Sequence, residues 1–305
     1  MAAAVEVPEL RPPAVRSRLA GAAAAVARVW RTSPSAVVGG AILLLFILLA
    51  LLAPVIVPGD PGAMRFLPNQ PPSWQHLLGT TNQGQGVLAQ VIWGGRTSLF
   101  VGFVAGAATM ALSIVIGMLS GFLGGVVDEA LQMLTNIFLV IPALPLMIVL
   151  AAYLPFRGEG PIIFVITITG WAWGARVLRA QTLALRKSDF VYNATLAGER
   201  PLSVVLREIM PNMLSLVVAN FLYTVLSAIL AEASLEFLGL GNVNVISWGT
   251  MLYWADNGQA LLTGAWWWIV PPGLAIAVVG GALALLNYAV DEITNPRLRK
   301  EGAAA

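Results

Sequence analysis

Residues 190–212 read FVYNATLAGERPLSVVLREIMPN, a polar and partly basic island set between long apolar runs. The chain it interrupts is 58% hydrophobic and only 10% charged, with a mean hydropathy of +0.81. Soluble globular proteins carry about a quarter charged residues. The chain is therefore read as an integral membrane protein, and the island as a place where it leaves the bilayer. There is no cysteine, which excludes disulfides and thiolate chemistry.

Outward from the island, apolar runs of spanning length fall at roughly 36–56, 98–119, 130–154, 161–181, 213–235 and 267–290. All are expected to be helices, because an open sheet would leave backbone groups unpaired in lipid. The fold class is thus all-α, a polytopic membrane protein with six transmembrane helices. Glycine-containing stretches such as GFLGGVVDE (121–129) are expected as turns between neighbouring spans.

An even number of spans puts both termini on one side, and lysine and arginine say which. Arg11, Arg16, Arg18, Arg28 and Arg31 precede the first span; Arg176, Arg179, Arg186, Lys187, Arg200 and Arg207 surround the island; Arg297, Arg299 and Lys300 follow the last span. Only Arg65, Arg96 and Arg157 remain for the other side, so the termini and the island are expected in the cytoplasm. The expected plan is a cytoplasmic tail 1–35 with an interfacial helix near Ser17–Trp30 and a disordered first dozen residues, a first span 36–56, and an extracytoplasmic segment 57–97. A core domain 98–290 follows, with the loop 188–212, and then a cytoplasmic tail 291–305. The outer segments hold the single histidine, His76, and several tryptophans; Trp266, Trp267 and Trp268 are read as an interfacial aromatic belt or, alternatively, a stacking platform for substrate.

Several chemistries are absent. Neither Lys187 nor Lys300 lies behind a glycine-rich phosphate loop, so the chain is not expected to hydrolyse ATP. One histidine and no cysteine exclude a histidine-cluster metal site, and no G-x-S-x-G elbow exists, so no catalytic or metal residue is assigned. The acids sit toward span ends, among them Asp128, Glu232, Glu236 and Asp291, which argues against a proton relay. Pro142 and Pro145 are placed to bend the third span, and Pro271 and Pro272 the sixth, as packing kinks or as a gate hinge.

The island itself reads as two short helices meeting at a glycine. Ser188 or Asp189 can cap the first, and Gly198 suits the left-handed residue that ends it, with Glu199 and Arg200 following. Pro201 fits the first turn of the second helix, where Leu202, Val205, Leu206 and Ile209 form an apolar stripe opposite Arg207 and Glu208; Pro211 is expected to stop it. An ordinary solvated loop is the alternative.

Beyond these physical readings, the island resembles the cytoplasmic EAA loop of permease subunits of binding-protein-dependent ABC importers, through Ala197–Gly198 and REIMPN at 207–212, although Tyr192 and Asn193, followed by Ala194, replace the usual acid and alanine. PPSWQHLLGTTNQGQGVLAQVIWGGRTSLFVG (71–102) is similar to the HPLGTDxxGRDVLSRxxxGxRxSLxVG pattern of the dipeptide/oligopeptide/nickel permease family, C-type subunit, and GGVVDE (124–129), LAEASLEFLGLG (230–241), SWGTML (247–252) and NPRLR (295–299) also have counterparts. Gly84, Gln85 and Gly86 stand for the family's GRD, and Ala89 and Gln90 for its SR.

The resemblance implies a type I ABC importer permease in a bacterial or archaeal cell membrane, with a second homologous permease, two ATPase subunits or domains, and an extracytoplasmic solute-binding protein as partners, besides membrane lipid. No nucleic acid is implied. The chain would bind no cofactor, ATP and Mg being held by the ATPases, whose docking cleft would take the loop residues from Asp189 to Pro211, Ile209 included. Glu232, Trp248 and Tyr253 are expected at the translocation pathway or subunit interface. Oligopeptides are the first expectation for cargo, oligosaccharides, nickel or opines the alternatives. A stand-alone carrier or channel is the rival class.

Overall fold

A computed structural model describes residues 33–294 and the side chains of residues 33–292. The expected N-terminal tail with its interfacial helix, and the NPRLR stretch, lie outside the described residues. Within them the chain is helical, with no strand. α1 is Pro34–Leu51, α2 Ala53–Ile56, α3 Val87–Leu123, α4 Gly125–Val140, α5 Ala143–Tyr153 and α6 Glu159–Leu185. The island supplies α7 (Asp189–Leu196), α8 (Pro201–Val204), a wide π-helical turn (Val205–Ile209) and α9 (Met210–Asn212); α10 (Leu214–Phe237), α11 (Trp248–Asn257) and α12 (Trp266–Thr294) follow.

Five helices, α1, α3, α6, α10 and α12, are long and apolar enough to cross a membrane. α3 is the axis of the bundle. Against α6 it runs parallel, since Gly117 meets Ala175 and Gly121 meets Thr182; against α10 it runs antiparallel, since Gly102 meets Ile229 and Gly106 meets Val225. The contacts are close: a Cβ at Gly106 would lie 2.9 Å from the Val225 Cα, and one at Gly117 would lie 2.5 Å from the Ala175 carbonyl oxygen. Lipid gives no hydrophobic drive to helix pairing, so small residues that let backbones approach supply the packing. Ser113 adds a hydroxyl bond to the Trp171 carbonyl, 2.8 Å, across the same seam.

Because α3 and α6 run the same way, the chain between them must recross the bundle. It does so as α4 and α5, which meet at 92°. The third expected span is therefore present as a broken helix pair. Ile141 precedes Pro142, a position biased against helical backbone, and adopts φ −73°, ψ 127°. Pro145 falls in the first turn of α5, where its missing N–H costs nothing. By contrast, α12 passes through Pro271 and Pro272 as one helix.

α1 packs antiparallel on α12, with the Ser33 hydroxyl donating to Glu292 at 2.9 Å and Gly39 close to Ala282 and Leu285. The first and last described residues thus share one end of the bundle with the island. At the opposite end α3 begins at Val87, eleven residues before its apolar run, because Gln90 and Arg96 lower the hydropathy of a stretch whose buried face (Val87, Gln90, Gly94, Ser98) packs on the chain near Trp248. The segment before it is pinned by Thr80, which is fully buried, donates to the Leu67 carbonyl and accepts from Gln70 N–H, each at 2.8 Å.

The three consecutive tryptophans diverge. Trp266 is exposed, as a belt residue would be; Trp267 donates to the Thr80 carbonyl at 3.1 Å; Trp268 is buried. Only the first fits the belt reading. The indole geometry, invisible in a run of identical letters, is set by which side of α12 each faces.

Candidate functional site

The island is a folded elbow. α7 starts after Ser188, but the Ser188 hydroxyl donates to the Leu185 carbonyl instead of capping an N–H, and Asp189 is the first helical residue. Its C-terminal end closes as a Schellman motif: Gly198 N–H reaches the Thr195 carbonyl at 3.0 Å and Glu199 N–H the Ala194 carbonyl at 3.2 Å, around a Gly198 with φ +79°. Pro201 opens α8 as expected.

Beyond it the structure departs from the expected regular helix. Met210 N–H bonds to the Val205 carbonyl, five residues back. Pro211 has no N–H and its ring would collide with the carbonyl four residues before it, and the widened turn relieves both problems. The helix passes Pro211 and breaks two residues later, at Met213, with φ −110° and ψ 7°.

The wide turn also changes which side chains face inward. Val204, Val205, Ile209 and Met213 are buried, and pack with Val191 of α7 against Met118 of α3 and Leu178 of α6. Val205 and Ile209 thus face inward as the stripe required, whereas Leu202 and Leu206 are 59% and 48% exposed. Tyr192 and Leu196, one turn apart on α7, are also exposed, as are Asp189, Asn193, Glu199, Arg200 and Arg207. Ala194 is half-buried and Pro211 exposed. The sequence placed Leu202 and Leu206 on one stripe with Val205 and Ile209, and the structure divides that stripe between the buried and the exposed side.

Below the elbow, Arg179 of α6 grips Asp128 of α4 with two hydrogen bonds of 2.7 and 2.6 Å, and Ser120 of α3 donates to the same carboxylate. Arg176 reaches Asn136 at 2.7 Å. Both arginines lie on α6, within the expected fourth span, and Arg179 ties three helices together.

At the other end of the bundle, Glu232 and Trp248 are fully buried inside the chain, and Tyr253 is half-buried. Ser98 links the two buried groups: it donates to Glu232 at 3.1 Å and accepts from Trp248 N–H at 3.1 Å. The other Glu232 oxygen has no partner. Glu236, one turn on, accepts from Ser247, the residue that caps α11 in a reciprocal pair with Thr250. The two positions where the family pattern has arginines carry amides: Gln90 donates to Gln85 at 2.7 Å, and Gln85 to the Gly62 carbonyl at 3.0 Å. A neutral hydrogen-bonded ladder ties α3 to the preceding segment there.

The sequence that folds into this bundle matches a known family. The profile described as binding-protein-dependent transport system inner membrane component fits residues 113–300, and that of the N-terminal TM domain of oligopeptide transport permease C fits residues 24–72. This chain belongs to the binding-protein-dependent transport permeases. It is 32% identical over 273 residues to the oligopeptide transport system permease protein OppC of Bacillus subtilis, covering 89% of this chain and 88% of the relative. It is 30% identical to the dipeptide transport system permease proteins DppC of Bacillus subtilis, over 268 residues (87% and 82%), and of Haemophilus influenzae, over 281 residues (89% and 93%). The chain is a multi-pass membrane component of a binding-protein-dependent transport system.

Proposed function

We propose that the chain is the C-type permease of an ATP-driven peptide importer, providing half of the pathway and receiving the power stroke through its elbow. Peptide cargo follows the named relatives, whose own titles are oligopeptide and dipeptide permeases. The elbow end is assigned to the cytoplasm, because Arg186, Lys187, Arg200 and Arg207 cluster there against Arg65, Arg96 and Arg157 at the other. Of the last three, Arg157 is engaged in closing a helix end, donating to the Ala151 and Leu240 carbonyls at 3.1 and 2.8 Å.

The observation that carries the reading is the elbow's two-sidedness. Its inner face is seated in the core on α3 and α6, while its outer face offers Tyr192, Leu196, Leu202 and Leu206 beyond the spans. Exposed apolar side chains set among charged ones are what a docking helix presents to a partner cleft. ATP binding on two partner subunits would favour one of two arrangements of the permease pair, and the elbow passes that preference to the spans. An extracytoplasmic binding protein delivers cargo to the opposite end, and ATP and Mg stay with the ATPases.

Reconstitution tests this. Uptake of peptide is expected only when a partner permease, ATPases, binding protein and ATP are all present. Gradient-driven uptake by this chain alone in ATP-free liposomes would establish the rival class, a stand-alone carrier.

A further inference from the structure

At the end opposite the elbow, the 57–86 segment and the 238–265 connection enclose a cavity of about 290 Å³. Asp60, Gln83 and Asn244 stand exposed at its rim, while Gln90, Thr250 and Trp268 are buried at its floor. Three features of this lining select a ligand.

The first is charge. Asp60 is the one charged residue of the lining, and it has no ion pair among the described residues; one of its oxygens accepts from Gly62 N–H at 2.8 Å. The second is the supply of amides. Gln85 is committed to the ladder, but the Gln83 amide nitrogen and the Asn244 side chain have no hydrogen-bond partner among the described residues, and each amide offers both donor and acceptor capacity. The third is Trp268, a lining residue only 2% exposed, whose buried indole N–H has no hydrogen-bond partner among the described residues. Buried donors are rarely left empty, and one in a cavity wall invites a carbonyl.

An anion would be repelled by Asp60, an apolar group would leave the donors empty, and a neutral polyol would leave the carboxylate without a counter-charge. A peptide end satisfies all three. The volume is at the small end for ligand pockets, which run from about 300 Å³, so it suits the end of a chain better than a whole cargo molecule.

We propose that this cavity is a receiving subsite for the amino-terminal end of a peptide, with the ammonium group on Asp60, peptide groups on Gln83 and Asn244, and a carbonyl on the Trp268 N–H. The inference rests on the peptide-importer reading above.

The test compares uptake of a tripeptide and its N-acetylated form by the complete reconstituted complex, with Asp60 and with Asp60→Asn. The ratio of KM for the acetylated to the free peptide is expected to fall about tenfold in the variant, the loss of one charge-assisted contact. The binding protein is the same in both, so its own preference cancels. Asp60→Glu is expected to retain the discrimination. An unchanged ratio would overturn the subsite, as would failure of Asp60→Asn to assemble, which would make Asp60 structural. Trp268→Phe is expected to raise KM for both peptides alike; an unchanged KM would remove the carbonyl contact. A complete Asp60-containing complex that transports no peptide is a different outcome, and would overturn the function itself.

Discussion

Gly198 shows how much can rest on one backbone conformation. At φ +79° a β-branched side chain costs about 1–2 kcal/mol in the left-handed region, yet a Cβ there would meet nothing within 4 Å. Gly198→Val is therefore expected to disturb the Schellman turn without a steric clash, and to lower ATP-coupled transport several-fold while the spans stay folded; a variant with normal coupling and normal ATPase binding would count against docking through this elbow. Ser98 makes the opposite kind of case, since its hydroxyl satisfies two buried groups at once, Glu232 and Trp248 N–H. Ser98→Ala should cost about 2–4 kcal/mol, because both partners are left unpaired, and should lower the thermal midpoint of the purified complex. Ser98→Thr should recover most of it. No spacing in the sequence links positions 98, 232 and 248; the antiparallel seam of α3 and α10 brings them together.

Among the elements, the α4–α5 pair carries the sharpest prediction. With legs of about 21 Å and 17 Å at right angles, residues 127 and 152 should lie about 27 Å apart, against about 38 Å along a straight helix. The chain has no cysteine, so Val127→Cys and Ala152→Cys can be spin-labelled without background. The measured distance should be near the shorter value, and Pro142→Ala should lengthen it. A pair of distances both near the longer value would remove the bend. At the start of α4, the Asp128–Arg179 pair is 16% and 25% exposed at its side chains, so removing one partner leaves a largely desolvated charge. Asp128→Asn is expected to destabilise the three-helix junction by about 3 kcal/mol, read as a lower unfolding midpoint, with a smaller loss in the Asp128→Glu variant. The prolines of LVIPALPLM signalled a bend in the sequence; its size depended on Ile141 leaving the helical region altogether.

For the whole molecule, the parallel course of α3 and α6 decides the count of crossings, because it obliges α4 and α5 to return through the bundle. The glycine seam that fixes this course should be intolerant of bulk. Gly106→Leu is expected to force α3 from α10, cost about 1–3 kcal/mol or more through overpacking, and impair assembly with the partner permease, as size-exclusion of the co-expressed complex would show; normal assembly would mean the seam is not needed for the interface. What the sequence settled alone was what depends on composition and local chemistry: a membrane chain, helical spans, a glycine-hinged elbow, and the absence of a nucleotide loop. Those follow from hydropathy, backbone satisfaction in lipid and the special φ of glycine, all of which act within a few residues. Tertiary structure decided which side of each helix is inside. The widened turn before Pro211 exposed Leu202 and Leu206, packing drew Glu232 and Trp248 inside, and three adjacent tryptophans took three environments. Burial is a property of neighbours distant in sequence, and a shift of one residue in a helical turn rotates a side chain by about 100°, too fine a change for periodicity to report.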